Sequence, residues 1–163
     1  MKQRIRIQNK DKTARIFLPV HDFADLIRHM HEHGGKTAFM WNAREGEEKD
    51  GAINYELFAE EVELAAAALS EEGLAGNRIA FLGTPSVTYA AFLLATLATG
   101  GVIVPLDRER STEDISALLR RSGATALFFG AGVTADLSLL CEEEELRLVC
   151  AMENALPLPE SKK

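Results

Sequence analysis

The chain has 163 residues, enough for one domain with a core of its own and too few for two. Its 47% hydrophobic and 26% charged residues are the proportions of an ordinary soluble globular domain. The formal net charge of -7, with acid gathered at residues 45–50 and 142–145, argues against nucleic acid or an anionic membrane as partner, since both repel an acidic surface.

Residues 1–20 read as an N-terminal arm or edge strand. Within residues 1–12, Ile5 and Ile7 are the only aliphatic side chains, so no secretory signal is predicted. Asp22 is a plausible N-cap for a helix whose apolar face carries Phe23, Leu26, Ile27 and Met30, and Gly34-Gly35 ends it. Residues 37–41 then read as a strand, 43–50 as a charged turn and 52–53 as the return strand, a small β-hairpin beside the main sheet. Asn54 can cap a helix over residues 55–72. Phe58, Val62, Ala65 and Leu69 recur there at helical spacing, Glu56, Glu60, Glu63 and Glu71 fall mostly elsewhere, and Gly73 stops the helix.

Residues 78–82 read as a buried strand, and Thr84-Pro85 as N-cap and first residue of a helix over residues 86–99. That helix is apolar nearly all round, with Val87, Tyr89, Phe92, Leu93, Leu94 and Leu97. It therefore requires cover on more than one side and points to a missing neighbour, a partner chain or the rest of a larger protein. Gly100-Gly101 ends it, and a β-branched run follows, closed by Pro105 and Asp107: a short buried strand. Residues 87–106 are long enough to mimic a membrane span, but Gly100-Gly101 and Pro105 interrupt them and no Lys or Arg flanks their start; no span is expected.

Ser111 and Asp114 form an S-x-x-D capping pattern before Ile115, Leu118 and Leu119, and Gly123 ends that helix. A strand over residues 125–129, a short helix over 133–140 and a last strand over 146–152 follow. Residues 155–163 read as a tail or linker, leaving residues 21–154 as a single α/β domain. Alternating strands and helices joined by short connections predict a mostly parallel sheet with helices on both faces. Cys141 and Cys150 form no CxxC or paired framework; they read as free thiols of a cytoplasmic protein.

Candidate chemistry is sparse. Gly130-Ala131-Gly132-Val133-Thr134-Ala135 matches G-x-G-x-x-A after a strand and before a helix, with Glu153 about twenty residues on. Those are the marks of a dinucleotide site, but the unit comes last, its helix is short and no second half of such a fold follows, so a glycine-rich strand-to-helix turn is the better account. His29 and His33 lie one helical turn apart, with His31 between them, but no third zinc ligand is evident, and a solvated helix end accounts for them. Gly83-Thr84-Pro85-Ser86 matches no phosphate loop or nucleophile elbow, and Pro85 lacks an amide that an anion would need. The acidic run beside Cys141 disfavours its thiolate and argues against a nucleophile.

Two segments together resemble the AMP-forming acyl-CoA synthetases, the adenylate-forming superfamily that also holds luciferases and peptide-synthetase adenylation domains. The first is Lys36-Thr37-Ala38-Phe39 with Ile53-Asn54-Tyr55-Glu56-Leu57, where Asn54 stands in place of the usual Ser or Thr. The second runs from Ala98 to Asp107 and is similar to the family's G-x-V-x-V-P-L-D motif, with Glu109-Arg110-Ser111 and Ser122-Gly123-Ala124 after it. The resemblance covers residues 22–130 and implies the N-terminal subdomain of such an enzyme. It implies ATP, Mg2+ and coenzyme A for a full-length member, formation of an acyl-adenylate, and passage of the acyl group to the thiol. The family's phosphate loop, nucleotide motifs and catalytic lysine match nothing here, so no catalytic, cofactor-binding or metal-binding residue is assigned, and the isolated chain is expected to be inactive. The alternatives are an interaction or dimerisation module that self-associates through the apolar helix over residues 86–99, or a dinucleotide-binding domain built on Gly130 and Gly132.

Overall fold

Polar caps set where the helices begin. A computed structural model describes residues 20–42, 51–143 and 146–152, with the backbone of residues 5–8 and 14–17. Strands β1 (Ile5–Gln8) and β2 (Ala14–Phe17) pair antiparallel within the expected arm; residues 9–13 between them lie outside the described ones. Helix α1 (Phe23–His33) starts where the Asp25 N–H donates to Asp22 Oδ1 at 2.7 Å. It ends at Gly34, whose φ of 47° suits a residue without a Cβ. Strands β3 (Thr37–Trp41) and β4 (Gly51–Asn54) form the expected hairpin; its connecting residues 43–50 lie outside the described ones. Asn54 then caps α2 (Tyr55–Glu71), accepting from the Leu57 N–H at 2.8 Å.

The main sheet contains β5 (Arg78–Leu82), β6 (Val102–Leu106), β7 (Ala126–Phe129) and β8 (Leu148–Ala151). Its order is β6-β5-β7-β8, and every neighbouring pair is parallel. The crossovers are α3 (Val87–Ala98), α4 (Thr112–Ser122) and α5 (Leu137–Glu143). Side chains alternate across the sheet, which sorts these helices onto two faces. Ile79 and Phe81 pack with Leu69 of α2 and Phe92 and Ala95 of α3. Ala80 and Leu82 face the other way, toward Ile115 and Leu119 of α4 and Leu140 of α5. Phe128 stacks on Phe92 at 4.7 Å and on Phe81 at 5.9 Å, binding the sheet to α3. Full burial of each such ring contributes about 1.5–3 kcal/mol.

Edge strand β6 is turned by Pro105. The Val102 N–H donates to Asn77 O at 2.9 Å, so strand alternation aims residues 102, 104 and 106 at β5 and residue 105 outward. Proline stands where a donor would otherwise face away from the sheet, which blunts the edge.

Three expectations change. Thr84 is not the cap of α3: Ser86 is, accepting from the Tyr89 N–H at 3.0 Å, and Pro85 precedes the helix. The Thr84 hydroxyl is engaged by two other loops, and the chain takes two more residues to turn from strand to helix. Helix α5 starts at Leu137 rather than at residue 133, because Asp136 caps it by accepting from the N–H groups of Ser138 and Leu139 at 2.9 and 3.3 Å. The neighbour that α3 requires belongs to this chain. Ala91 enters a second core with Ile27 and Met30 of α1, Ile53 of β4, and Phe58, Ala59 and Val62 of α2, while the opposite side of α3 meets the sheet. Buried Thr96 satisfies its hydroxyl on Phe92 O at 2.8 Å. Leu97 remains the exposed large apolar side chain of this helix, at 52%.

Candidate functional site: the carboxyl edge of the parallel sheet

In open parallel sheets, ligands bind outside the carboxyl ends of the strands, where adjacent connections leave to opposite faces. Strand β5 marks that place here. The chain leaves it toward α3 on one face, whereas from β6 and β7, on either side, it leaves toward α4 and α5 on the other. Three exit loops meet at this point: residues 83–86 after β5, 107–111 after β6 and 130–136 after β7.

Each loop is tied to both of the others. Thr84 donates its N–H and its hydroxyl to Ala131 O, at 2.9 and 3.0 Å, joining the first loop to the third. Thr134 repeats the arrangement, donating N–H and hydroxyl to Arg108 O at 3.3 and 3.0 Å, which joins the third loop to the second. The Arg108 guanidinium closes the triangle through a hydrogen bond from Nη1 to Thr84 Oγ1. Asp107 shapes the second loop by accepting from the Glu109 N–H at 3.0 Å, an Asx turn, and Arg110 N–H reaches Asp107 O at 3.3 Å.

The glycines serve this convergence. A Cβ on Gly83 would lie 2.7 Å from Gly130 N, and one on Gly132 would lie 2.6 Å from Arg108 Nη1. Both glycines of the G-x-G-x-x-A run have packing roles here: Gly130 abuts the first loop, and the space over Gly132 holds the Arg108 side chain. Glu153, the acidic residue of that reading, lies outside the described residues. Beside the loops, a hollow of about 460 Å³ runs along the outer edge of β6, lined by Pro105, Asp107, Arg110 and, from α4, Leu118 and Arg121.

The other candidates do not converge. His29 Nδ1 lies 3.1 Å from Glu32, His31 Nε2 lies 3.9 Å from Glu63, and the His33 ring rests on Tyr55 at 5.4 Å. Among the described residues no group of three His, Cys, Asp or Glu is arranged to hold a metal ion. Cys141 is exposed and Cys150 half-buried, both free; burial, and then the nearby Glu72, push the Cys150 thiol up and disfavour its thiolate.

Two residues escaped sequence reasoning. Arg108 carries no pattern, since its partner Thr84 is 24 positions away. Glu61 is 7% exposed on α2, its Oε2 has no partner among the described residues, and burial raises its pKa. Its signal was present: it sits three residues after Phe58 and four before Ala65, on the inward stripe.

The sequence matches the family described as "AMP-binding enzyme" over residues 26–162. Over 77 residues it is 35% identical to the fatty acid–[acyl-carrier-protein] ligase ScoC of Streptomyces coeruleorubidus, covering 47% of this chain and 15% of that protein. The fold is similar to that of a long-chain-fatty-acid-CoA ligase, FadD1, from Archaeoglobus fulgidus, with TM-score 0.72 and 18% identity over 84% of this chain and 30% of that one. It is also similar to a benzoate CoA ligase from Burkholderia xenovorans LB400, with TM-score 0.69 and 22% identity over 83% of this chain and 28% of that one. The chain spans 2% and 15% of the lengths of the two curated relatives it matches. Its G-x-V-x-V-P-L-D-type motif folds as the edge strand β6 and the turn that feeds the loop triangle, and the match takes in both hairpin β3–β4 and the whole parallel sheet: the chain belongs to the AMP-binding enzyme family.

Proposed function

We propose that this chain is the N-terminal scaffold of an adenylate-forming ligase that activates a carboxylic acid, a fatty acid in the first instance, as its acyl-adenylate and passes it to coenzyme A in the cytoplasm. The observation that carries this reading is the family match across residues 26–162, joined to a sheet of the same fold as two acid–CoA ligases. The fatty-acid ligase ScoC, similar over half of this chain, favours a fatty acyl substrate.

The described residues supply the scaffold of that reaction rather than its chemistry. ATP with Mg2+ requires amides or cations around phosphate and oxygen ligands around the metal. At the β5 exit, Pro85 has no N–H and the Thr84 N–H is already donated to Ala131 O, so that turn cradles no phosphate. Among the described residues no group of three His, Cys, Asp or Glu is gathered around a metal-sized space. The β5 exit turn does not fit a phosphate, and no step is assigned to it. The isolated chain should accordingly form no adenylate. The test is pyrophosphate exchange into ATP with a panel of fatty and aryl acids: no exchange is expected from this chain alone, and acid-dependent exchange would overturn the scaffold reading.

A second reading is self-association through α3, where Leu97 stays exposed once α2 and the sheet have covered the rest of the helix. Light scattering on the purified chain and on Leu97→Glu tests it: a dimer that Leu97→Glu dissociates supports it, and a concentration-independent monomer removes it.

A further inference from the structure

We infer that the three exit loops form a closed latch that opens as one unit, separately from the core beneath it. The triangle has three sides, Thr84 to Ala131, Thr134 to Arg108 and Arg108 to Thr84, and no two loops are joined through the third alone. Closure makes each tie a condition of the others. Thr84 Oγ1 receives the Arg108 guanidinium while donating to Ala131 O, so the hydroxyl is oriented by both neighbours at once. Arg108 likewise works at both ends, its backbone carbonyl held by Thr134 and its side chain by Thr84. The abutment of Gly83 on Gly130 leaves no slack along one side, and the bare Cα of Gly132 leaves the guanidinium its place.

Burial separates this unit from its floor. Leu82 and Leu127, in the strands below, are fully buried, whereas Thr84 and Arg108 are half-buried and Ala131 and Thr134 are exposed. Val133 and Ala135 of the third loop pack, partly buried, against the core beside α4 and α5, so opening costs those two contacts besides the ties; the first two loops place no side chain in that core, the condition for local rather than global opening.

Amide hydrogen exchange on the full chain, read by NMR, tests this. Thr84→Val deletes the hydroxyl shared by two sides of the triangle. The Thr134 amide, whose bond to Arg108 O contains no atom of Thr84, should then exchange tenfold faster or more. The Val102 amide, bonded to Asn77 O at the far end of the sheet, should be unchanged. The reciprocal variant Thr134→Val, read at the Thr84 amide, should give the same result and serves where Thr84→Val does not fold. Faster exchange confined to the substituted loop would overturn the latch, since the ties would then be independent. Equal acceleration at Val102 would overturn it as well, because the change would be global.

Discussion

Gly83 faces Gly130 so closely that a Cβ on Gly83 would lie 2.7 Å from the Gly130 nitrogen and 2.9 Å from its Cα. Both contacts are with backbone, which has no rotamer with which to withdraw. The φ of Gly83, +148°, is in addition one that residues with side chains rarely adopt. Gly83→Ala should therefore destabilise the chain by roughly 2–4 kcal/mol, the sum of strain and forced separation of two loops. Urea unfolding measures it. Gly35→Ala, where a Cβ meets nothing within 4 Å, is the control and should stay within about 0.5 kcal/mol of the parent. Equal losses at the two sites would mean that the close approach is not a constraint.

Glu61 should give the stability of this chain a distinct pH dependence. Burial raises the pKa of its carboxyl in the folded state above the ordinary value of 4.5. Between the unfolded and the folded value the folded state holds a proton that the unfolded state has released, so stability falls as pH rises through that window. Glu61→Gln keeps the shape and removes the titration. It should match the parent at acid pH, below 4.5, and be the more stable of the two at pH 7. Thermal melts of both proteins across that range decide it: parallel profiles would show that the carboxyl is not held against its charge.

Most of the elements were legible because their signals are local. Asp22, Asn54 and Ser111 cap helices where their position before an apolar stripe says they should. The run Val102–Leu106 makes a strand for the reason its β-branched side chains suggest. What the sequence left hidden depends on contacts between distant positions. Nothing near Thr84 says that its hydroxyl is drawn to Ala131 and Arg108, 47 and 24 residues away, so the nearer capping role looked sufficient. Gly130 and Gly132 likewise match a cofactor motif in one dimension and serve loop packing in three. The full apolarity of α3 does demand cover. The cover comes from α2 on one side and the sheet on the other, which no count along a single helix could reveal.

The division of labour between Thr84 and Ser86 can be separated by substitution. Ser86→Ala removes the oxygen that accepts the Tyr89 N–H and should lower global stability by about 1 kcal/mol, the ordinary loss of an N-cap. It should leave the amides of Thr84 and Thr134 as protected, relative to the core, as in the parent. Denaturant titration with exchange on the same sample checks both. A stability unchanged by Ser86→Ala would show that this cap contributes nothing to the fold.

Trp41 lies across from Gly51 in the β3–β4 hairpin, and a Cβ on Gly51 would fall 2.2 Å from the ring carbon Cζ2 of Trp41. The contact is with a side chain that can rotate, so the substitution tests geometry more than stability. Gly51→Val should drive the indole off the hairpin, raising its exposure from the present 42%, at a cost below about 1.5 kcal/mol, because most of the ring is not core. Trp41 is the sole tryptophan of the chain, so emission reports the move without ambiguity. The spectrum should shift to the red and iodide should quench it more strongly. An unshifted spectrum in a folded Gly51→Val protein would show that the ring does not rest on Gly51.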